Sequence, residues 1–184
     1  MSYTKPPRHT HQFVMDSPIG GIRVHYIDRA VVNVDFLYGE YQRQEAETAY
    51  GDYLTSVLTR YFSRKHAALG EPVQLEGTAF QVRVWQRLCE IPFGATETYG
   101  SLASSLNTSA RAIGNACRAN KIPLFVPCHR VVASNGPGGF AGATQGIKLD
   151  TKNWLLSHEK QQLLGAIRSR AASTRENSSP IPLT

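Results

Sequence analysis

The segment TYGSLASSLNTSARAIGNACRA, residues 98–119, decides how the second half of the chain is read. Thr98 or Tyr99 through Leu106 makes one short helical block, Asn107-Thr108-Ser109 interrupts it, and Ala110 to about Ala119 makes a second. That is helix-turn-helix spacing. On the second block Ala112, Ile113, Ala116 and Cys117 fall on one stripe, while Arg111, Gly114, Asn115 and Arg118 recur at i, i+3, i+4 and i+7 on the opposite face. The inner stripe is small and apolar; the open face is basic and contains a glycine.

Working upstream, Thr78 reads as the N-cap of a helix through Glu90 that turns Phe80, Val84, Trp85 and Leu88 inward, and Ile91-Pro92-Phe93-Gly94 ends it. Nearer the N-terminus Ile22, Val24 and Tyr26 alternate with Arg23 and His25, and after a turn at Asp28-Arg29 comes the β-branched run Val31-Val32-Asn33-Val34, which together predict a hairpin. From Glu45 to Phe62 apolar residues recur at helical spacing, the pattern of an amphipathic helix against that sheet. Gly70-Glu71-Pro72 breaks the pattern, and a short linker around Pro72 to Gly77 is the candidate boundary. Downstream, Leu124 to Val126 is held between Pro123 and Pro127 and is too short for a central strand, and Val131-Val132-Ala133 resumes strand character. A glycine-rich loop, 134–142, leads to a final helix with Trp154, Leu155 and His158 on one face. The reading gives an α/β unit over 1–76, a mainly helical unit over 77–167 and an unstructured tail over 168–184.

The 184 residues, 41% hydrophobic and 18% charged, suffice for a real core and exclude a disordered polyelectrolyte or a fibrous protein. No run approaches the roughly 20 apolar residues that cross a bilayer, and Met1 to His11 is not signal-like, so the expected setting is intracellular: cytoplasmic, or nuclear in a eukaryote. Cys89, Cys117 and Cys128 lack CxxC spacing, which argues against a disulfide framework or a zinc knuckle. His9, His11 and His25 have no cysteine beside them, and no metal is expected. The net charge of +6 is unevenly spread: residues 1–76 hold eight Lys/Arg against nine Asp/Glu, 77–160 nine against four, and 161–184 three against one. The positive charge therefore sits with the helix-turn-helix, as a phosphate-binding surface requires.

Cys128-His129 is the sharpest chemical signal. A thiolate is the reactive form of cysteine, and a neighbouring imidazole or basic surroundings can lower its pKa, so the sulfur is expected to be held ionised. In an extended backbone, adjacent side chains point to opposite faces; His129 would reach the sulfur only through a turn or a bridging water.

Ile122-Pro123-Leu124-Phe125-Val126-Pro127-Cys128-His129-Arg130-Val131-Val132 resembles the active-site signature of the O6-alkylguanine-DNA alkyltransferases, also called methylated-DNA-protein-cysteine methyltransferases. Further blocks in the same order extend the resemblance over nearly all of 77–160: Gly77-Thr78-Ala79-Phe80-Gln81, Thr98-Tyr99-Gly100-Ser101-Leu102-Ala103, Arg111-Ala112-Ile113-Gly114, Gly138-Gly139-Phe140-Ala141-Gly142 and Trp154-Leu155-Leu156-Ser157-His158-Glu159. The resemblance implies an RNase H-like first domain, with a small antiparallel sheet and a helix, followed by a winged-helix-like domain. The implied reaction is a suicidal DNA repair without cofactor: the alkyl group of O6-alkylguanine in double-stranded DNA moves once, irreversibly, to Cys128.

By position, His129 deprotonates Cys128 through a water, Glu159 orients His129, and Asn120 ties the recognition helix to the active-site strand. Tyr99 hydrogen-bonds to the leaving guanine and crowds the 3′ phosphate. Arg111 fills the gap left by a flipped base, Ala112, Gly114 and Asn115 belong to the helix entering the minor groove, and Arg118 meets phosphate. Val131 and the closing loop Phe140, Ala141 and Gly142 form the substrate pocket. The resemblance implies a monomer; O4-alkylthymine as a second substrate and cooperation along DNA stay open. Cys117, on the buried stripe, reads as core packing. Two departures are Lys121, where many relatives have proline, and Phe140, where tyrosine is frequent. The rivals are a lesion binder on the same scaffold, which the presence of Cys128 opposes, and a cysteine hydrolase, which would leave the basic helix without a purpose.

Overall fold

A computed structural model describes residues 10–63 and 68–176. Strands β1 (His11–Ser17), β2 (Gly20–Ile27) and β3 (Ala30–Leu37) form an antiparallel sheet in that order. Ile22, Val24 and Tyr26 are completely buried, as their alternation requires, and Asp28 takes a positive φ of 52° in the two-residue turn that follows. Strand β1 has no such alternation: Phe13, Val14 and Met15 are all buried. Both of its faces are covered, and its outer edge is met by Gln44, which exchanges backbone hydrogen bonds with Val14 (2.9 and 3.1 Å).

Helix α1 (Ala49–Phe62) packs on this sheet through Leu54, Leu58 and Tyr61. It begins four residues later than its apolar spacing predicts because Thr48 is its N-cap: Thr48 Oγ1 accepts from Gly51 N at 3.1 Å and is tied to the Tyr26 hydroxyl at 2.8 Å. Any side chain at position 51 would collide with that hydroxyl.

In the second half, α2 (Ala79–Cys89) opens in a capping box, Thr78 and Gln81 each accepting from the other's backbone. The short strands β4 (Glu97–Thr98) and β5 (Val131–Val132) pair in parallel. Between them lie α3 (Tyr99–Ser105) and α4 (Ala110–Arg118), capped by Thr98 and Ser109, and a 3-10 turn at Cys128–Arg130. Trp85 Nε1 donates to the Ala116 carbonyl at 2.9 Å and locks α2 to α4. The two halves share one apolar core that runs from Tyr26 and Leu58 through Leu88 and Ile113 to Leu155. A backbone bond stitches them as well, from Val34 N to Lys121 O (2.8 Å).

Helix α5 (Ile147–Glu176) corrects the expected tail: the backbone stays helical nine residues into the stretch read as unstructured. Residues 168–176 contain no proline or glycine, and the stretch continues a helix already nucleated upstream, so elongation needs no new nucleus. Residues 177–184, like His9, lie outside the described residues. Among the described residues the result is a mixed α/β fold with a small antiparallel sheet and five α-helices, none of which is long and apolar enough to cross a membrane.

Candidate active site

Cys128 is placed by a short, completely buried chain path, 122–127, that no regular element supplies. Asn120, just past the end of α4, folds this path: its Oδ1 accepts from Ile122 N (2.9 Å), and its Nδ2 donates to the Val126 carbonyl (2.9 Å) and to Cys128 Sγ (3.2 Å). The 3-10 turn then sends Cys128 and His129 in different directions. Sγ lines a cavity of about 600 Å³ whose walls include Tyr99, Gly114, Cys117, Arg118 and the loop from Gly139 to Thr144. His129 is fully buried behind it.

The carboxylate of Glu159 organises what lies behind the sulfur. Its Oε1 accepts from His129 Nε2 (2.9 Å), Arg130 Nη2 (2.9 Å) and the Tyr61 hydroxyl (2.8 Å). Its Oε2 accepts from Arg130 Nε (2.9 Å) and Gly94 N (3.0 Å). Burial alone would raise this carboxyl, but the hydrogen bonds and charge presented by His129 and Arg130 outweigh it and hold it well below the usual carboxylate range. Burial pushes the imidazole of His129 the other way, below its ordinary value, and Glu159 only partly restores it. At neutral pH Arg130 is thus the countercharge of Glu159, and His129 is neutral. An ionised carboxylate only accepts, so Nε2 carries the hydrogen and Nδ1 is left as the basic nitrogen. Nδ1 is buried and has no partner among the described residues.

Tyr99 stands at the cavity wall with its hydroxyl donating to the Gly139 carbonyl at 3.3 Å. Burial raises its pKa, so it remains a donor. Lys152, completely buried on α5, donates to the carbonyls of Val131 (2.5 Å) and Gly139 (2.9 Å) and thereby joins β5 to the glycine loop. Burial brings its pKa down to about 8, against the pull of Cys128 and Cys117. On α4, Ile113, Ala116 and Cys117 are buried, Arg111, Asn115 and Arg118 are exposed, and Ala112 and Gly114 are half-buried. Gly142, with φ of 80°, lies against the Arg118 side chain. Among the described residues no group of three His, Cys, Asp or Glu side chains is arranged to hold a metal.

Comparison with known proteins gives this arrangement a lineage. The family profile described as 6-O-methylguanine DNA methyltransferase, DNA binding domain, matches residues 79–161. The methylated-DNA–protein-cysteine methyltransferase of Saccharolobus islandicus is 36% identical over 133 residues, which cover 72% of this chain and 85% of that protein. The chain belongs to the methylated-DNA–protein-cysteine methyltransferase family. A probable family member from Acanthamoeba polyphaga mimivirus is 45% identical over 91 residues, 48% of this chain and 58% of that protein. The crystal structure of the Mycobacterium tuberculosis O6-methylguanine methyltransferase superposes with a TM-score of 0.71 at 30% identity, covering 84% of this chain and 94% of that one. A structure of the mycobacterial protein in complex with DNA gives 0.67 at 29% identity, covering 81% and 92%.

In this methyltransferase-family chain the site departs from the sequence reading in three respects. The sulfur is not held ionised: burial pushes the Cys128 thiol up, and the Asn120 hydrogen bond and the charge of Lys152 only partly offset this. Cys117 does more than pack the core, because it lines the cavity together with Cys128. Val131 is completely buried and is not part of the cavity wall; its carbonyl serves the site by anchoring Lys152. Phe140, Ala141 and Gly142 do line the cavity, the Phe140 ring resting 5.9 Å from Phe36 of β3.

Arg130, Tyr61 and Lys152 carry no assigned role in the sequence reading. For Lys152 the signal was present, since Lys152, Leu155, Glu159 and Gln162 fall on one helical face and a cation sharing a face with a buried leucine needs partners.

Proposed function

We propose that this chain repairs duplex DNA by taking the alkyl group from O6-alkylguanine onto Cys128 Sγ, once per molecule and without a cofactor. The observation that carries the reading is a nucleophilic sulfur in the wall of a cavity that also includes Gly114 and Arg118, two residues of the open face of α4. The Cys128 proton passes through a water to His129 Nδ1, the S–C bond forms as the C–O6 bond breaks, and the thiol proton is finally returned to the guanine. Asn120 and Lys152 stabilise the transient thiolate, and the Tyr99 hydroxyl donates to the oxygen on which charge develops. A thiol that stays protonated until its base engages avoids a free charge at a buried position.

To reach the sulfur the nucleotide has to leave the stack. In this reading α4 enters the minor groove, Arg111 fills the space vacated by the base, Ala112, Gly114 and Asn115 face the groove, and Arg118 meets a phosphate. An intracellular monomer fits the reading, with 1–76 as an RNase H-like domain and 77–167 as a winged-helix-like one.

The test is the intact mass after incubation with a duplex holding one O6-methylguanine: a single added methylene unit, on the peptide containing Cys128. A lesion binder on this scaffold gains nothing, and a cysteine hydrolase forms no such adduct. Arg111→Ala tests the wedge. Removing a group that offsets a few kcal/mol of unstacking should slow transfer from the duplex roughly ten- to hundredfold. Transfer from free O6-benzylguanine should be unaltered, and equal slowing on both substrates would dismiss that role.

A further inference from the structure

The family profile begins at residue 79, yet one oxygen of the first half of the chain enters the network behind the sulfur. Tyr61, in the last turn of α1, is fully buried, and its hydroxyl donates at 2.8 Å to Glu159 Oε1, the same oxygen that accepts from His129 Nε2. The ring cannot swing away. It packs edge-on against Phe62 and Phe93 at 5.0 and 6.0 Å, and its own carbonyl accepts from His158 Nε2 (2.7 Å) and Gln162 Nε2 (3.0 Å) of α5. Those two bonds satisfy a carbonyl that the end of α1 would otherwise leave open, so helix and phenol are fixed together.

We infer that Tyr61 is a positioning residue of the transfer reaction, by which the first half of the chain sets the basicity of His129 through the oxygen that the two residues share on Glu159. The inference rests on the function proposed above. Three donors divide the charge on Oε1, and whatever the phenol draws off is not available to hold a proton on His129. The groups that face His129 and Glu159 are Tyr61 from α1, Arg130 and Cys128 from the turn, and Lys152 from α5, with His158 beside the Tyr61 carbonyl. Of these only Tyr61 is a neutral donor that can be deleted as a single hydroxyl.

In Tyr61→Phe the carboxylate bonds His129 more strongly, and the imidazole gains a proton at higher pH. His129 must be neutral to accept the thiol proton, so the acid-side midpoint of the rate of transfer from free O6-benzylguanine should rise by about half a unit. Site-specific 3-fluorotyrosine at position 61, a stronger donor of nearly unchanged shape, should lower the same midpoint. The ring resonances of His129, followed by NMR against pH in the full chain, should move in the same two directions. Midpoints that coincide in all three proteins, or a uniform loss of rate at every pH with a lower Tm, would overturn the inference and leave Tyr61 a packing residue. If Tyr61→Phe does not fold, the fluorotyrosine protein decides alone. If the parent protein transfers no alkyl group, the proposed function fails, while the NMR midpoints still decide whether Tyr61 sets His129.

Discussion

Cys128→Ala gains no mass from an O6-methylguanine duplex at any incubation time, yet it binds the same duplex within about threefold of the parent affinity. Both halves of that result follow from the geometry. Among the described residues the sulfur takes part in one side-chain hydrogen bond, at 3.2 Å from Asn120, and Asn120 keeps its bonds to Val126 and Ile122 when the sulfur is gone. The path to residue 128 therefore survives, as does α4, whose outward residues Arg111, Asn115 and Arg118 have no part in holding it.

Neither remaining thiol can substitute. Cys117 reaches the cavity, but burial and the neighbouring Cys128 push its thiol far up, and the charge of Lys152 only partly offsets this. Cys89 is not part of that cavity and approaches the Phe125 carbonyl at 3.9 Å. Intact mass and a duplex titration check the result together. An adduct on Cys117 in the variant, or a loss of binding that tracks the loss of transfer, would refute the division between nucleophile and DNA-binding helix.

The helices were legible wherever the chain announces its own ends. Thr78 with Gln81, and Ser109 before Ala110, are local caps, and local geometry decides them. Strand β1 was not legible because two faces are covered there, which erases the period of two. The start of α1 does not follow the spacing for a related reason: Ala46 is half-buried against the core without being helical, and Thr48 is committed to Tyr26, a contact across 22 residues that no window reveals.

The site divides in the same way. Cys128 and His129 stand out as a dipeptide, and Glu159 is found only through the family pattern. Tyr61 sits in an apolar stripe where a buried phenol differs from a phenylalanine only by a partner 98 residues away. The state of the thiol was the furthest from reach. It depends on how completely the surrounding chain excludes water, which composition near residue 128 does not specify.

Glu159→Ala should be the most destabilising single substitution at the site. It removes the acceptor of five hydrogen bonds at once and leaves the Arg130 guanidinium, only 6% exposed, without its countercharge. Breaking a buried ion pair from one side costs about 3 to 5 kcal/mol, which for a chain of this size lowers Tm by roughly 6 to 20 °C. A guanidinium has no neutral form to fall back on in a protein interior, and the Ile91 carbonyl at 2.7 Å satisfies only one edge of this one. Replacing both partners by apolar groups, as in Glu159→Leu with Arg130→Met, should cost markedly less than the sum of the single changes.

The pH dependence supplies a second signature. In the folded chain the Glu159 carboxyl lies well below its unfolded value of about 4.3, so its stabilisation is complete at neutral pH and is lost progressively as pH falls below about 4. Thermal unfolding between about pH 6 and 3 should therefore show the parent losing Tm more steeply than Glu159→Gln. Parallel curves would mean that the charge of Glu159 contributes nothing to the fold, and the account of His129 as a neutral base held by an ionised carboxylate would fall with it.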